Sequence, residues 1–471
     1  MRSLVVLTIL AGCGRVNFDP VDDGGGSTGG PDIVGPLAAG QFLKAAHPIM
    51  NGLFGFSQAL SGDGSTLVVG ELADASGVGG VNGNDLDMSQ PTSGAVFVFA
   101  REGNGPFTQQ AYIKASDPMM NARFVSTSLS NNGDVLAVGA AGAGAVYMFA
   151  RSGATWTQLQ KIVPDDSAQG DAFGVTVALS RDGSRLAVGA TAHANGGQAY
   201  VFERQRTYQQ VATLRGNNTE AGDEFGNGIG IDGAGNTIVV GAAGDSSAAI
   251  DVNGDELDNT MPLSGAAYVF ERSTGWQQTA YLKSIVPNGG RFGNYATISS
   301  DGSTIIAGAQ DDNVGGTAPG QPDVATSGAA RIFVRSGSTW VPQVFLKSPV
   351  PRADTHFGFG VALSTHGDIA VVSEYQNASS ATGVDGNTMD ASALKSGAAF
   401  VFQRTGASWA LAHFLKGAVS DTNDIFGTSP AMSGDGSVIA FGTSNDDAAS
   451  TIPTDNSLMD SGATQTFVRV P

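Results

Sequence analysis

The chain has 471 residues, a length that predicts two to four domains unless internal repeats extend one of them. Charged residues make up only 14% of the chain, which also contains 67 glycines. This composition favours an all-β protein with many tight turns. The formal net charge of -19 disfavours nucleic acid and anionic lipid as partners and favours cations or basic surfaces.

The N-terminus has the features of an export signal. It begins MRSLVVLTILAGCGRV, in which an early Arg precedes an apolar run from Leu4 to Leu10. The run is too short to span a bilayer and is typical of a secretory signal. Because the letters LAGC ending at Cys13 resemble the bacterial lipobox, residues 1–12 are predicted to be a lipoprotein-type signal peptide and Cys13 the lipidated residue. A plain secretory signal, with an incidental Cys13, is the alternative.

The export signal leads into a segment without a repeating pattern. Residues 13–40 are rich in Gly, Pro and Asp, a composition typical of a flexible tether. Cys13 is the only cysteine, so the fold needs no disulfide and its stability must come from packing. The sequence therefore predicts an exported protein that is lipid-anchored in the bacterial cell envelope, at the outer membrane or the cell surface.

From residue 41 onward the sequence is built from a repeated unit. The unit begins Phe-Gly, passes a turn, reaches a Val-Gly strand, crosses a variable loop and ends in SGAxxVFxR…W…LK. Its copies start at Phe54, Phe124, Phe173, Phe225, Phe292, Phe357 and Phe426. Each copy holds four segments with strand character, and Asp-Gly or a close relative between the first two predicts a type I′ hairpin turn.

Seven repeats of four antiparallel strands predict an all-β fold, a seven-bladed β-propeller of four-stranded antiparallel blades. The last copy stops after its third strand, whereas GQFLKAAHP at residues 40–48 matches the end of a fourth strand. This N-terminal strand should therefore complete the last blade and close the ring. An open solenoid is the alternative, and it would leave both ends unpaired.

The repeat carries a resemblance to a known family. Stretches such as FGVTVALSRDGSRLAVGA (173–190) and FGFGVALS (357–364) resemble FG-GAP repeats, the units of the integrin alpha-chain N-terminal propeller and of many bacterial envelope proteins. The resemblance covers residues 41–471 and implies one FG-GAP propeller. In integrin-like domains a calcium loop, D-x-N-x-D-G-x-x-D, lies between Phe-Gly and Val-Gly. Short turns such as SGDGSTL stand there instead, so the family's calcium ligands match no residue of this chain.

Most cations and all tryptophans occur at repeat positions. Fourteen of the 24 Lys and Arg residues end the third or fourth strands, and all four Trp residues open fourth strands. Residues present in every blade are expected to stabilise the blade, although a ring of sugar sites is an alternative role for the aromatic residues. The five His residues show no metal-ligand spacing, and no Ser-His-Asp set can be assembled. No catalytic or cofactor-binding residue is therefore assigned.

The carboxylates are concentrated where a propeller's connections meet on one face. The connections from second to third strand, and from each fourth strand to the next blade, hold 29 of the 43 Asp and Glu residues. The cations assigned to the same face are Arg123, Arg291, Arg352 and Lys395. This imbalance predicts an acidic binding face.

Three long loops on this face share one pattern, VNGNDLD (81–87), VNGDELD (252–258) and VDGNTMD (384–390). Tight turns in which Asx oxygens accept backbone hydrogen bonds account for the pattern. Calcium is the alternative ligand, because it prefers hard oxygen donors at alternating positions. The candidate metal residues are Asp251, Asn253, Asp255 and Asp258.

These features predict a non-catalytic cell-envelope protein that binds or adheres through an acidic propeller face. The expected partner is a protein or surface ligand, with a basic one favoured, and the loops of the last four blades are the expected contact surface. A structural scaffold of an envelope complex is one alternative. A hydrolase or lyase with its active site on the acidic face is the other.

Overall fold

The computed structural model describes residues 35–470 apart from Ser167, Gln169 and Pro319, and these belong to one compact unit that spans Asp32–Pro471. The predicted signal peptide, Cys13 and most of the predicted tether lie outside the described residues. Every regular element in the described part of the chain is a β-strand. Accordingly, the described residues include no helix with the length and apolarity needed to cross a bilayer.

The strands form seven antiparallel four-stranded sheets, here called blades 1 to 7. Blade 7 takes its fourth strand from the N-terminus, and blade 1 has a short additional strand, Gly80–Val81. The first strands are Phe54–Leu60, Phe124–Leu129, Phe173–Leu179, Phe225–Ile231, Ala296–Ile298, Phe357–Leu363 and Phe426–Met432. The second strands are Thr66–Glu71, Val135–Ala140, Arg185–Ala190, Thr237–Ala242, Thr304–Ala309, Ile369–Glu374 and Val438–Thr443. The third strands are Ala95–Ala100, Ala145–Ser152, Gln198–Arg204, Ala266–Arg272, Ala329–Ser336, Ala398–Thr405 and Ala463–Arg469. The fourth strands are Thr108–Lys114, Thr155–Ile162, Tyr208–Leu214, Trp276–Leu282, Thr339–Leu346, Ser408–Leu415 and, for blade 7, Leu37–Leu43.

The blades are arranged in a ring around a central cavity. The cavity, of about 350 Å³, is lined by residues from the innermost segment of every blade, including Gln58, Thr176 and Val361. The first strands of neighbouring blades are in contact around the whole circle, including those of blades 7 and 1. The predicted seven-bladed propeller is therefore confirmed.

The ring is closed by the N-terminal strand, as the sequence predicted. Leu37–Leu43 pairs antiparallel with the third strand of blade 7, from Leu37 opposite Arg469 to Leu43 opposite Thr464. The strand begins earlier than the predicted boundary, so residues 37–40, which the sequence assigned to the tether, lie within it. The physical reason is Leu37, whose side chain is buried in the core beside Ile439 and Phe467.

The Phe-Gly motif joins neighbouring blades. The Phe side chain that opens each repeat is fully buried, and the amide of Phe54 donates to the carbonyl of Ser461 in the preceding blade at 3.1 Å. Gly55 has a φ of +91°, and its carbonyl lies so close to Gly442 that a Cβ there would clash. The contact recurs between Gly139 and Gly174, Gly189 and Gly226, Gly241 and Gly293, and Gly308 and Gly358. At these five junctions both glycines are therefore required by the approach of two backbones, whereas Val125 and Ser373 each replace one glycine at the other two.

The position of the closing strand gives a first prediction. Leu37→Ala should lower the free energy of unfolding by about 2–3 kcal/mol, because it removes a large buried side chain from the core of the last blade. Urea denaturation of the variant and the parent chain measures the effect. Ala39→Ser, at an exposed position of the same strand, is the control and should change the free energy by less than about 0.5 kcal/mol. Equal stability of Leu37→Ala and the parent would place residue 37 outside the blade.

Candidate functional site

The two faces of the ring differ in charge. The loop face consists of the connections from second to third strand and from fourth strand to the next blade, with the strand ends beside them. The hairpin face consists of the two tight turns of each blade and the strand ends beside those. The loop face carries 29 carboxylates and 12 cationic side chains, whereas the hairpin face carries ten of each. The excess acidity of the described chain therefore lies on the loop face.

The predicted number of cations on the loop face, four, was too low. Each fourth strand runs toward the loop face, so the Lys or Arg at its end lies there as well, and Arg331 of the third strand in blade 5 adds one more. In the sequence the fourth-strand cations have the repeat spacing of structural residues, so the predicted number does not include them. The loop face remains acidic, but less so than the sequence indicated.

Most of these added lysines are buried and hold the loops. In blade 4, Lys283 Nζ donates to Asp245 Oδ1 and to Ser264 Oγ, both at 2.8 Å. Asp245 begins the long loop of that blade and Ser264 ends it. Equivalent buried pairs are Lys44 with Asp446 at 3.2 Å, Lys114 with Asp74 at 2.6 Å, and Lys347 with Asp312 at 3.2 Å. Burial lowers the pKa of Lys283, and the charge of Asp245 opposes that shift.

Blade 6 departs from this arrangement, because Asn377 stands where the other long-loop blades have Asp. Lys416 Nζ donates to Ser396 Oγ at 2.7 Å and to the carbonyl of Gly397, and burial lowers its pKa to about 7. The nearby carboxyl of Glu374 is fully buried and accepts a hydrogen bond from Asn377 Nδ2 at 2.7 Å. Burial raises the pKa of Glu374 to about 7. Burial thus shifts the pKa values of both groups toward neutral pH, in opposite directions.

The shared pattern of the long loops is a set of backbone acceptors, as the Asx-turn interpretation predicted. In blade 4, Asn253 Oδ1 accepts from the amide of Tyr281 at 2.9 Å, and Asp255 Oδ1 accepts from the amide of Leu257 at 3.1 Å. Asp258 Oδ2 accepts from the amide of Ala248 at 2.7 Å. Blades 1 and 6 repeat these contacts with Asn82, Asn84 and Asp87, and with Asp385, Asn387 and Asp390. The hydrogen bonds from Thr260 and Ala248 lower the pKa of Asp258.

The candidate metal residues are not gathered around one point by their side chains. Asp251 is ion-paired with Arg331 of the next blade, and Asn253, Asp255 and Asp258 accept from three different parts of the backbone. Among the described residues no group of three or more His, Cys, Asp and Glu side chains could hold a metal ion. Calcium binding at this loop therefore stays a prediction.

Histidine-carboxylate pairs on the loop face were not predicted from the sequence. Four of the five His residues place Nδ1 at 2.8–3.0 Å from an Asp oxygen, and the pairs are His47 with Asp85, His193 with Asp171, His356 with Asp311, and His413 with Asp385. Such pairs can accept and donate protons. They are distributed around the ring and separated by 22 to 45 residues in sequence, so no local pattern reveals them.

Comparison with protein families gives one match. The FG-GAP repeat family model matches residues 156–202, which run from the fourth strand of blade 2 to the third strand of blade 3. The other blades repeat the architecture of this segment. A search of curated proteins finds no match to the chain.

Solved structures with similar folds have very different sequences. Hydrazine synthase of Kuenenia stuttgartiensis matches with a TM-score of 0.50 and 13% identity, over 85% of this chain and 94% of that one. U3-55K matches with a TM-score of 0.52 and 10% identity, over 94% of this chain and 100% of that one. The periplasmic gluconolactonase PpgL of Pseudomonas aeruginosa has a TM-score of 0.48 and 14% identity, over 83% and 98%. At these identities the similarity shows the fold alone.

The acceptor role of the loop gives a second prediction. Asp258→Ala should speed hydrogen exchange at the amide of Ala248, because that amide loses its acceptor, whereas Asp258→Asn should keep most of the protection. Exchange measured by mass spectrometry, with and without calcium, tests this. Exchange that is unaffected by calcium in the parent chain agrees with the acceptor role. Protection that appears only with calcium would show that the carboxylates bind the metal.

The buried carboxyl of blade 6 gives a third prediction. Because the pKa of Glu374 is raised from an ordinary value of 4.5 to about 7, its contribution to stability is complete below pH 4.5 and is lost as the pH rises through 7. Between pH 4.5 and pH 7 and above, the unfolding free energy of the parent chain should therefore fall. In Glu374→Gln, which has no ionisable group at this position, that fall should be smaller by roughly 3 kcal/mol. Urea denaturation at several pH values measures it. The exposed Glu102→Gln on the hairpin face is the control, and an unchanged pH profile in Glu374→Gln would contradict the prediction.

Proposed function

Because this chain is an FG-GAP repeat β-propeller protein, we propose that it is a non-catalytic binding or adhesion protein. Its loop face takes a protein or surface ligand with a basic surface. The proposal includes export and a lipid anchor at Cys13 in the bacterial cell envelope, which rest on the early Arg, the apolar run from Leu4 to Leu10 and the lipobox. The ring then serves as a rigid support for the loops.

The observation that carries the proposal is the separation of charge between the two faces. The loop face has 29 carboxylates against 12 cations, while the hairpin face is balanced at ten of each. A surface of one sign attracts a partner of the opposite sign over a distance and speeds its association. If the net negative charge served only solubility, the carboxylates would not need to be concentrated on one face.

The loops are also held in place before any ligand binds. Buried lysines fix both ends of the long loops in blades 1, 4, 5 and 7, and Asx acceptors fix the interior of the loops in blades 1, 4 and 6. A surface that is already ordered loses little conformational entropy on binding. This property supports recognition of a partner by shape as well as by charge.

The same observations favour binding over the hydrolase or lyase alternative. Asp87, Asp258 and Asp390 each accept a hydrogen bond from a backbone amide and so have a structural role in their loops. The histidine-carboxylate pairs are spread over several blades and do not form one set. The scaffold alternative uses the same face and differs only in the permanence of the contact.

The experiment starts with the intact lipoprotein as bait in its native envelope, followed by crosslinking and purification of the partner. The affinity of the purified partner is then measured for two variants. The loop-face variant carries Asp165→Asn, Glu220→Gln and Asp323→Asn, and the hairpin-face variant carries Glu102→Gln, Asp134→Asn and Asp435→Asn. Five of these positions are exposed and Asp134 is half-buried, and both variants change the net charge equally.

The loop-face variant should weaken binding by about three- to tenfold, and high salt should weaken it further, because an attractive charge is lost. The hairpin-face variant should bind like the parent. Equal effects of the two variants would show that the loop face is not the contact surface. Turnover of a substrate, lost on substitution of a single loop-face Asp, would instead support the enzyme alternative.

A further inference from the structure

The loop face exposes apolar side chains as well as carboxylates. Twenty large apolar side chains are exposed among the described residues, and fourteen of them lie in the connections of the loop face. These are Met50, Val78, Leu86, Met88, Met119, Met120, Val163, Ile250, Leu257, Leu263, Met389, Leu394, Ile452 and Met459. None of the twenty lies in a described hairpin turn. Exposed apolar residues that occur singly are normal on protein surfaces, but this distribution favours one face.

Four of these side chains occupy the same position in their loops. Leu86, Leu257, Met389 and Met459 each precede the last Asp of a long loop, and they are 64%, 74%, 67% and 53% exposed. In blades 1, 4 and 6 that Asp accepts a hydrogen bond from a backbone amide ten residues earlier. The turn therefore holds the apolar side chain outward, in contact with water. A side chain displayed in this way by four blades is a feature of the face, not of one loop.

Methionine is concentrated on the same face. Of the nine methionines after Met1, only Met148 and Met432 lie outside the loop-face connections. Methionine is flexible and polarizable, and it is common on surfaces that bind apolar side chains of different shapes. The loop face therefore combines a fixed backbone with adaptable side chains.

Backbone hydrogen bonds connect some of these loops to the neighbouring blade. The amide of Asn51 donates to the carbonyl of Met459 at 2.9 Å, which places Met50 beside the loop of blade 7. The amide of Asn423 donates to the carbonyl of Leu394, also at 2.9 Å. The loops that carry these apolar residues are therefore joined to their neighbours through the backbone.

From these observations we propose that the loop face docks a cationic amphipathic segment of a partner protein. Such a segment carries Lys or Arg on one side, for the carboxylates, and large apolar residues at helical spacing on the other, for the Leu and Met side chains. A polycation without apolar residues leaves the exposed apolar side chains in water, and a neutral polysaccharide leaves the carboxylates unpaired. The inference rests on the proposed function and specifies the partner's chemistry.

The test uses three synthetic peptides of equal length with the full chain. The first has Leu and Lys at amphipathic helical spacing, the second has the same composition in an order without an apolar side, and the third is oligolysine. Affinities are measured by fluorescence anisotropy at low and high salt. The amphipathic peptide should bind about tenfold more tightly than oligolysine, and at high salt only the amphipathic peptide should retain binding.

Two variants with unchanged net charge localise the contact. The loop variant carries Leu257→Gln, Met389→Gln and Met459→Gln. The control carries Leu159→Gln, Val341→Gln and Leu411→Gln, at exposed positions of outer strands. The loop variant should bind the amphipathic peptide about tenfold more weakly, because it loses apolar contacts, and the control should bind like the parent. Urea denaturation shows that both variants are folded.

The outcomes separate this inference from the proposed function. If oligolysine and the amphipathic peptide bind equally, and the loop variant binds like the parent, the apolar contact is absent and the inference is overturned. In that case a loss of binding in the loop-face carboxylate variant would still support an acidic binding face. If the outer-strand control alone weakens binding, both the inference and the proposed face are wrong. No binding of the amphipathic peptide at about 100 micromolar also overturns the inference.

Discussion

The structure of the loop face depends on one interaction, the pairing of a buried lysine at the end of each long-loop blade's outermost strand with the ends of that loop. Removing an ammonium group from water is costly, and the cost is offset only when charged and polar acceptors surround it. In blade 1, Lys114 Nζ has three such acceptors, Asp74 Oδ1 at 2.6 Å, Ser93 Oγ at 2.7 Å and the carbonyl of Gly94 at 2.6 Å. Asp74 begins the long loop and Ser93 ends it. One side chain therefore joins the outer strand to both ends of a loop that would otherwise be free to move.

This arrangement divides the acidic residues of the loop face into two groups. Carboxylates such as Asp74 and Asp245 are buried beside lysine and belong to the framework of the blade. Others, such as Asp165 and Asp323, are exposed to solvent and form the acidic surface of the loop face. Blades 2 and 3 have short loops without the framework Asp. Their fourth-strand cations are correspondingly less enclosed, as in the pair of Lys161 and Asp117, whose side chains are 36% and 55% exposed. A long loop and a buried lysine thus occur together.

The sequence predicted the fold far better than the site, and the difference has a physical cause. Phe-Gly, Asp-Gly and the strand pattern act over a few residues, so each blade could be predicted locally, and the missing last strand could be matched to residues 40–48. The start of that strand was set too late because LAAG has weak alternation, and only the packing of Leu37 against blade 7 identifies it. The Asp partners of the buried lysines lie 40 and 38 residues away in blades 1 and 4, and 402 residues away for Lys44, beyond any local pattern. The repeated Leu or Met before the last Asp is present in the sequence. Its exposure could not be predicted, because the fold of the loop determines whether that side chain faces the core or the solvent.

The combination of charge and apolar side chains on one face also bears on self-association. Exposed Leu and Met side chains on a neutral surface would favour contacts between copies of the chain. A face with 29 carboxylates against 12 cations repels an identical face, because like charges brought together without counterions cost several kcal/mol. A basic partner reverses the sign of this interaction while the apolar contacts stay the same. In the proposed complex the charges therefore provide selectivity and the apolar side chains provide contact area, and neither property alone would distinguish a partner from a second copy of the chain.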